Sequence, residues 1–207
     1  MSIIRPFKGI RPRADLASAI AALPYDVYNS EEAREIVAAE PKSFLQIDRA
    51  ETLLPKGTNP YSEAVYKTAS ETLNRMIDEG SFLQDKEPCY YLYALTMNGR
   101  TQTGLVGCAS IDDYCNNVIL KHENTLEAKE QDRIRHIDAC SAQTGPIFLA
   151  YRADKKLGEI IKNVRLTPEV YDFTSDDGIR HEVWRIDKMS TIVDISKIFE
   201  AIPHLYI

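Results

Sequence analysis

The side chains with the clearest capacity for chemistry lie between Val118 and His136, in the run VILKHENTLEAKEQDRIRH. A short β-favouring stretch, Val118-Ile119-Leu120, gives way at once to His122, Glu123 and Thr125, and then to polar residues of helical character. At helical spacing Lys129, Arg133 and His136 stand at i, i+4 and i+7, so they share one face with Asp132 beside them. A strand end carrying His-Glu that feeds such a cationic face could hold an anion, with phosphate the leading choice. Thr125 is placed to cap the helix, since its hydroxyl can accept from a free backbone N–H two or three residues on. A plainer reading stands beside this one. Glu127, Lys129, Glu130, Asp132, Arg133 and Arg135 are also the types that build a solvated helix face with i, i+4 ion pairs. The abrupt junction favours a site, because polar groups at strand ends are commonly presented to ligands.

Other chemistry-bearing residues are scattered. Asp26, in Pro24-Tyr25-Asp26-Val27, is either a site carboxylate or a turn residue bonded to its own backbone. His181 could support a site or hydrogen-bond across a strand pair; Trp184, three residues on, falls on the opposite face. The adjacent acids Asp112 and Asp113 are types that bind metals, but turns use them more often, and no metal site is assigned. The cysteines Cys89, Cys108, Cys115 and Cys140 show neither a C-x-x-C pair nor zinc-type His spacing, so all are expected to be reduced and structural. Tyr90, Tyr91 and Tyr93 read as sheet packing rather than a base-stacking platform.

These residues need elements to hold them. The chain opens with an extended arm, because Arg5-Pro6 and Arg11-Pro12 disfavour helix, and Asp15 to Ala22 predicts a short helix. Ser30 as N-cap, with Glu31 and Glu32 in the first turn, predicts a helix to about Ala39. Ser43 to Asp48 reads as a strand and residues 49–59 as a polar loop. Between Pro60 and Gly80, Ala64, Val65, Ala69, Leu73, Met76 and Ile77 form an apolar stripe at helical spacing. Asn98-Gly99 between two β-rich runs predicts a type I′ hairpin, and Thr174 to Gly178 predicts a second hairpin. Ile147 to Tyr151 reads as a buried strand, residues 154–163 as a helix capped by Asp154, and residues 190–201 as an amphipathic helix before a strand at Pro203 to Ile207.

The expected fold class is α+β: a mixed, largely antiparallel sheet with two β-hairpins and flanking helices, organised as a single domain over residues 1–207. An apolar β signal at the end predicts that this is the N-terminal part of a longer protein. With 44% hydrophobic and 27% charged residues, neither disorder nor a membrane span is expected. The N-terminus carries no secretory pattern, so the expected location is cytoplasmic. A net charge of −6 and a pI near 5.3 argue against direct nucleic-acid contact by this part. Oligomeric state is left open.

Several short runs together resemble the domain of unknown function 1015 family of bacteria and archaea, which sometimes carries a ParB-like label. They are PYDV at 24–27, SFL at 43–45, the YYLYALTMNGRTQTGL hairpin, DDY at 112–114, KHENT at 121–125, KEQDR at 129–133, TGP at 144–146 and DDGIRHEVWR at 176–185. The resemblance implies a continuation, after Leu205-Tyr206-Ile207, into an Asp-Gly-His-His-Arg loop. It also implies a fold-level analogy to ParB, sulfiredoxin and free serine kinases, with the hairpin at 164–187 as an insertion. On that analogy the function is phosphate or nucleotide handling, as a kinase or phosphotransferase acting on a small metabolite with ATP or ADP and Mg²⁺. Glu123 would be a general base or polarising carboxylate and His122 would orient phosphate. Lys129 and Arg133 would stabilise the transferred charge, with His136 and Thr125 as further phosphate ligands and Asp132, Asp26 and His181 in support. The alternative is a nucleotide-binding regulatory or ParB-like module without turnover.

Overall fold

Asn98 and Gly99 both take positive φ, 51° and 76°, which lets strands Tyr90–Met97 and Arg100–Val106 pair in the tight right-twisting hairpin that the Asn-Gly dipeptide predicts. The structure, a computed structural model, describes residues 1–122 and 126–207. It is α+β, and its chain separates into two compact units. One comprises Met1–Ala14, Gln84–Glu123 and Ile147–Ile207; the other comprises Asp15–Leu83 and Asn124–Pro146.

The first unit is built on a four-stranded antiparallel sheet in the order Arg100–Val106, Tyr90–Met97, Arg180–Ile186, Tyr171–Thr174. Alternation along the strands sends Tyr90, Leu92, Ala94, Trp184 and Ile186 to one face, where they join Leu157 of helix Lys155–Val164 and Ile192, Ile195 and Phe199 of helix Met189–Ala201. Each fully buried aliphatic side chain there, such as Leu92 or Ile195, contributes about 1.5–3 kcal/mol. Asp154 caps the first of these helices by accepting from Leu157 N–H at 2.9 Å, as expected. Ile119–Leu120 pairs in parallel with Leu205–Tyr206.

The opposite sheet face carries a carboxylate cluster. Asp85 accepts from Arg11 Nε and Nη2 at 2.8 and 2.9 Å, from Arg185 Nη1 at 3.0 Å and from the Tyr91 hydroxyl at 2.6 Å. Although burial disfavours the ion, these donors outweigh it and hold the carboxyl down at about 2. Gly9 lies against this cluster: a Cβ there would sit 2.3 Å from Tyr91 Oη.

In the second unit, helix Glu63–Asp78 buries Val65, Tyr66, Ala69, Leu73 and Met76 along one stripe. It closes in a Schellman turn, Gly80 N–H to Ile77 O and Ser81 N–H to Met76 O, both 2.9 Å. It packs against helix Glu127–Cys140 and the short helix Leu45–Asp48. Ile20, Ile47, Ala50 and Phe82 complete this core.

Several expectations are corrected. Ser43 to Asp48 is not a strand: Leu45–Asp48 is a helical turn, followed by a 3-10 turn at Ala50–Leu53 within the expected loop. A short apolar run has no decisive period, and here it buries Leu45 and Ile47 as a helix. Asn29, not Ser30, caps helix Ser30–Ala39, with a capping box to Glu32. Asp112 and Asp113 lie in a helix, Ile111–Cys115, and the Asp113 carboxylate accepts from Ile3 N–H at 2.6 Å. The run from Ile147 to Tyr151 forms one bridge, Ala150 to Tyr206, while Ile147 and Phe148 are exposed. The cysteines are free, but Cys108 and Cys115 are exposed. The tyrosine hydroxyls of the first hairpin bond within the protein: Tyr90 to Ile4 O, Tyr91 to Asp85 and Tyr93 to His181.

Candidate functional site: a cleft beside helix Glu127–Cys140

Helix Glu127–Cys140 divides the two readings of its charges between its faces. Lys129, Asp132, Arg133 and His136 line a cleft of about 230 Å³ in the second unit, whereas Glu127, Glu130 and Arg135 are exposed and do not line it. Among the described residues no i, i+4 ion pair runs along this helix; its one internal charge pair is between the neighbours Asp132 and Arg133. Leu126 holds the N-cap position, one residue past the expected cap Thr125. Glu123 and Thr125 lie outside the described residues.

The other wall comes from distant segments. A turn at Pro24 to Val27, closed by Val27 N–H to Pro24 O at 3.0 Å, supplies Tyr25 and Asp26; Asp48 ends the helical turn and Arg49 follows it, and Tyr61 and Tyr66 come from the approach to the long helix and from the helix itself. Arg49 fixes the first of these. Its Nη1 donates to the carbonyls of Tyr25 and Tyr28, its Nη2 to Ser30 Oγ, and its Nε to Glu51 Oε1 at 2.8 Å.

Which groups remain free decides what the cleft can do. Arg133 donates Nε and Nη2 to Asp132 Oδ2 at 3.0 and 2.7 Å and lies 4.0 Å over the Tyr25 ring, leaving Nη1 without a partner among the described residues. Lys129 makes no ion pair, and Asp26 makes neither an ion pair nor a hydrogen bond, among the described residues; the turn around Asp26 is therefore held without its carboxylate. Asp132 is also engaged by the Tyr66 hydroxyl at 2.8 Å, and burial followed by that bond pushes the Tyr66 phenol up to about 12.

Half-buried Asp48 and buried His136 meet in the lining. The Thr144 hydroxyl donates to Asp48 Oδ1 at 2.9 Å, and His136 Nε2 stands 3.8 Å from the same oxygen. Burial raises the Asp48 carboxyl above its ordinary range, opposed by the Thr144 bond and by His136 and Arg133. A carbonyl only accepts, so the 3.1 Å contact of His136 Nε2 with Ile47 O places the ring hydrogen on Nε2. His136 is 2% exposed and its Nε2 hydrogen is already engaged, so it braces the wall more than it offers a donor.

The remaining candidates belong to the other unit. His122 Nδ1 contacts Ile207 O at 2.5 Å. His181 stacks on Phe173 at 4.9 Å and bonds Tyr93 Oη through Nδ1 at 2.7 Å and Ser175 Oγ through Nε2 at 2.9 Å. This is the cross-strand role weighed for it. Sequence reasoning missed Tyr25, Asp48, Arg49, Tyr61 and Tyr66. Only the polar Asp48-Arg49 pair ending an apolar run hinted at them.

The family model described as protein of unknown function (DUF1015) matches residues 4–207. The chain belongs to the DUF1015 family. No curated protein and no solved structure matches this DUF1015 chain at a significant level. Among its described residues no group of three or more His, Cys, Asp or Glu side chains could hold a metal ion, and no helix is long and apolar enough to cross a membrane.

Proposed function

We propose that the cleft binds a small phosphate-bearing metabolite, with Lys129 and Arg133 as the anion-holding pair. The observation that carries this reading is the state of those two cations: one helical turn apart, both lining the cleft, with Lys129 unpaired and Arg133 Nη1 unspent among the described residues. Guanidinium and ammonium groups so placed form charge-assisted hydrogen bonds to phosphate oxygens.

The enzymatic form of the reading is phosphoryl transfer between a nucleotide, ATP or ADP, and the metabolite. There Lys129 and Arg133 stabilise charge on the transferred group. Pockets for whole drug-sized ligands span about 300–1,000 Å³. At about 230 Å³ the cleft suits a phosphoryl group and a metabolite of few carbons, and a nucleotide would place only its phosphate end there. A regulatory module, matching the ParB-like label, would use the same anion site without turnover. A cytoplasmic setting suits both forms.

Thermal-shift titration against inorganic phosphate, ADP and ATP, with and without Mg²⁺, tests the reading. Ligand at about 100 times its Kd adds about 2.7 kcal/mol. Lys129→Ala with Arg133→Ala should weaken binding at least about tenfold. Equal affinity in that double variant would overturn the assignment.

A further inference from the structure

The cleft is lined by more acid than base. Asp26, Asp48, Glu51 and Asp132 stand against Lys129, Arg49 and Arg133, a formal balance of −1 with His136 neutral. Internal pairing removes Glu51 with Arg49 and most of Asp132 with Arg133. What is left facing a ligand is Lys129 and Arg133 Nη1 on the helix, and the Asp26 carboxylate on the turn beside Tyr25. A free phosphate leaves the Asp26 carboxylate unmatched in such a lining, whereas a molecule that brings its own positive charge satisfies both sides at once.

We infer that the natural ligand of this cleft is dipolar, a small phosphate ester bearing an ammonium group, whose phosphate lies on Lys129 and Arg133 and whose ammonium lies on Asp26. This rests on the anion reading of Lys129 and Arg133 and adds the other end of the molecule. Asp48 is the poorer partner for the ammonium, because Thr144 already donates to it and burial disfavours its charge. The volume of about 230 Å³ sets the scale at a few carbon atoms between the two charges.

Two probes differing only in the ammonium separate the claims: O-phosphoethanolamine and ethyl phosphate, titrated calorimetrically into the full chain. Phosphoethanolamine should bind about tenfold more tightly, the ratio expected of one charge-assisted hydrogen bond. Asp26→Asn, on an exposed turn, should bring the two affinities within about twofold by tightening ethyl phosphate and weakening phosphoethanolamine. Lys129→Ala should weaken both probes and leave their ratio unchanged. Equal affinities in the unaltered protein, lost on Lys129→Ala, would overturn the dipolar ligand while leaving the anion site standing. A preference that survives Asp26→Asn overturns the assignment of Asp26. Failure of both probes to bind overturns the anion site and this inference with it.

Discussion

Asp85 in one unit and Asp26 in the other are both carboxylates in neighbourhoods that contain arginine, yet they end in opposite states. Asp85 is 7% exposed and takes donors from two arginines and a tyrosine. Asp26 is exposed and takes none among the described residues, while the cations of its own cleft, Lys129 and Arg133 Nη1, are equally uncommitted. The difference separates architecture from recognition. A buried carboxylate must be fully paired, because an orphaned charge in the interior costs several kcal/mol. A ligand site keeps groups at the surface, where water satisfies them until something better arrives.

Breaking the first cluster should produce the largest effect. Asp85→Ala leaves Arg11 Nε and Nη2 and Arg185 Nη1 without their acceptor and should cost about 3 kcal/mol. Trp184 is the sole tryptophan and is buried in the same unit's core, so its fluorescence during urea unfolding reports the loss. Next comes Gly9→Ala. The added methyl would collide with Tyr91 Oη, which cannot swing aside without releasing Asp85, and a cost of about 1–3 kcal/mol is expected by the same readout.

Acid probes the same pairing. The Asp85 carboxyl lies at about 2 folded and near its ordinary value of about 3.9 unfolded. Its contribution of about 2 kcal/mol is therefore complete above pH 4 and disappears as the pH falls towards 2. The urea midpoint should drop across that interval, and by less in Asp85→Asn. Lys129→Ala should give the smallest change in stability, within about 0.5 kcal/mol, since the side chain is exposed and unpaired among the described residues. A large loss there would mean that the cleft is also architecture, and the contrast would collapse.

Legibility in the sequence followed how local the determining interaction is. The Asn98-Gly99 hairpin, the Asp154 cap and the shared face of Lys129, Arg133 and His136 depend on residues within a few positions of each other, and the chain displays them directly. Ser43 to Asp48 and Ile147 to Tyr151 depart from the strands they predict because short apolar runs suit strand, helix and exposed linker alike until tertiary partners choose. The far wall of the cleft was invisible for a stronger reason. Tyr25, Asp48 and Tyr66 meet helix Glu127–Cys140 only through chain folding, and no spacing records that meeting. Asn29 displaced Ser30 as cap although both are good capping residues, a choice that backbone entry angle makes and composition does not.

Arg49 grips the segment from Tyr25 to Ser30 mainly by main-chain carbonyls, not by the side chains that face the cleft. The turn is thus fastened by a residue indifferent to what the turn displays. Tyr25 and Asp26 can be exchanged for other side chains while their backbone stays moored, so a lineage could retune what this cleft accepts one residue at a time without first surrendering its shape. Lysine could not take over the mooring, because a single ammonium cannot reach carbonyls, hydroxyl and carboxylate in the fork that a guanidinium spans.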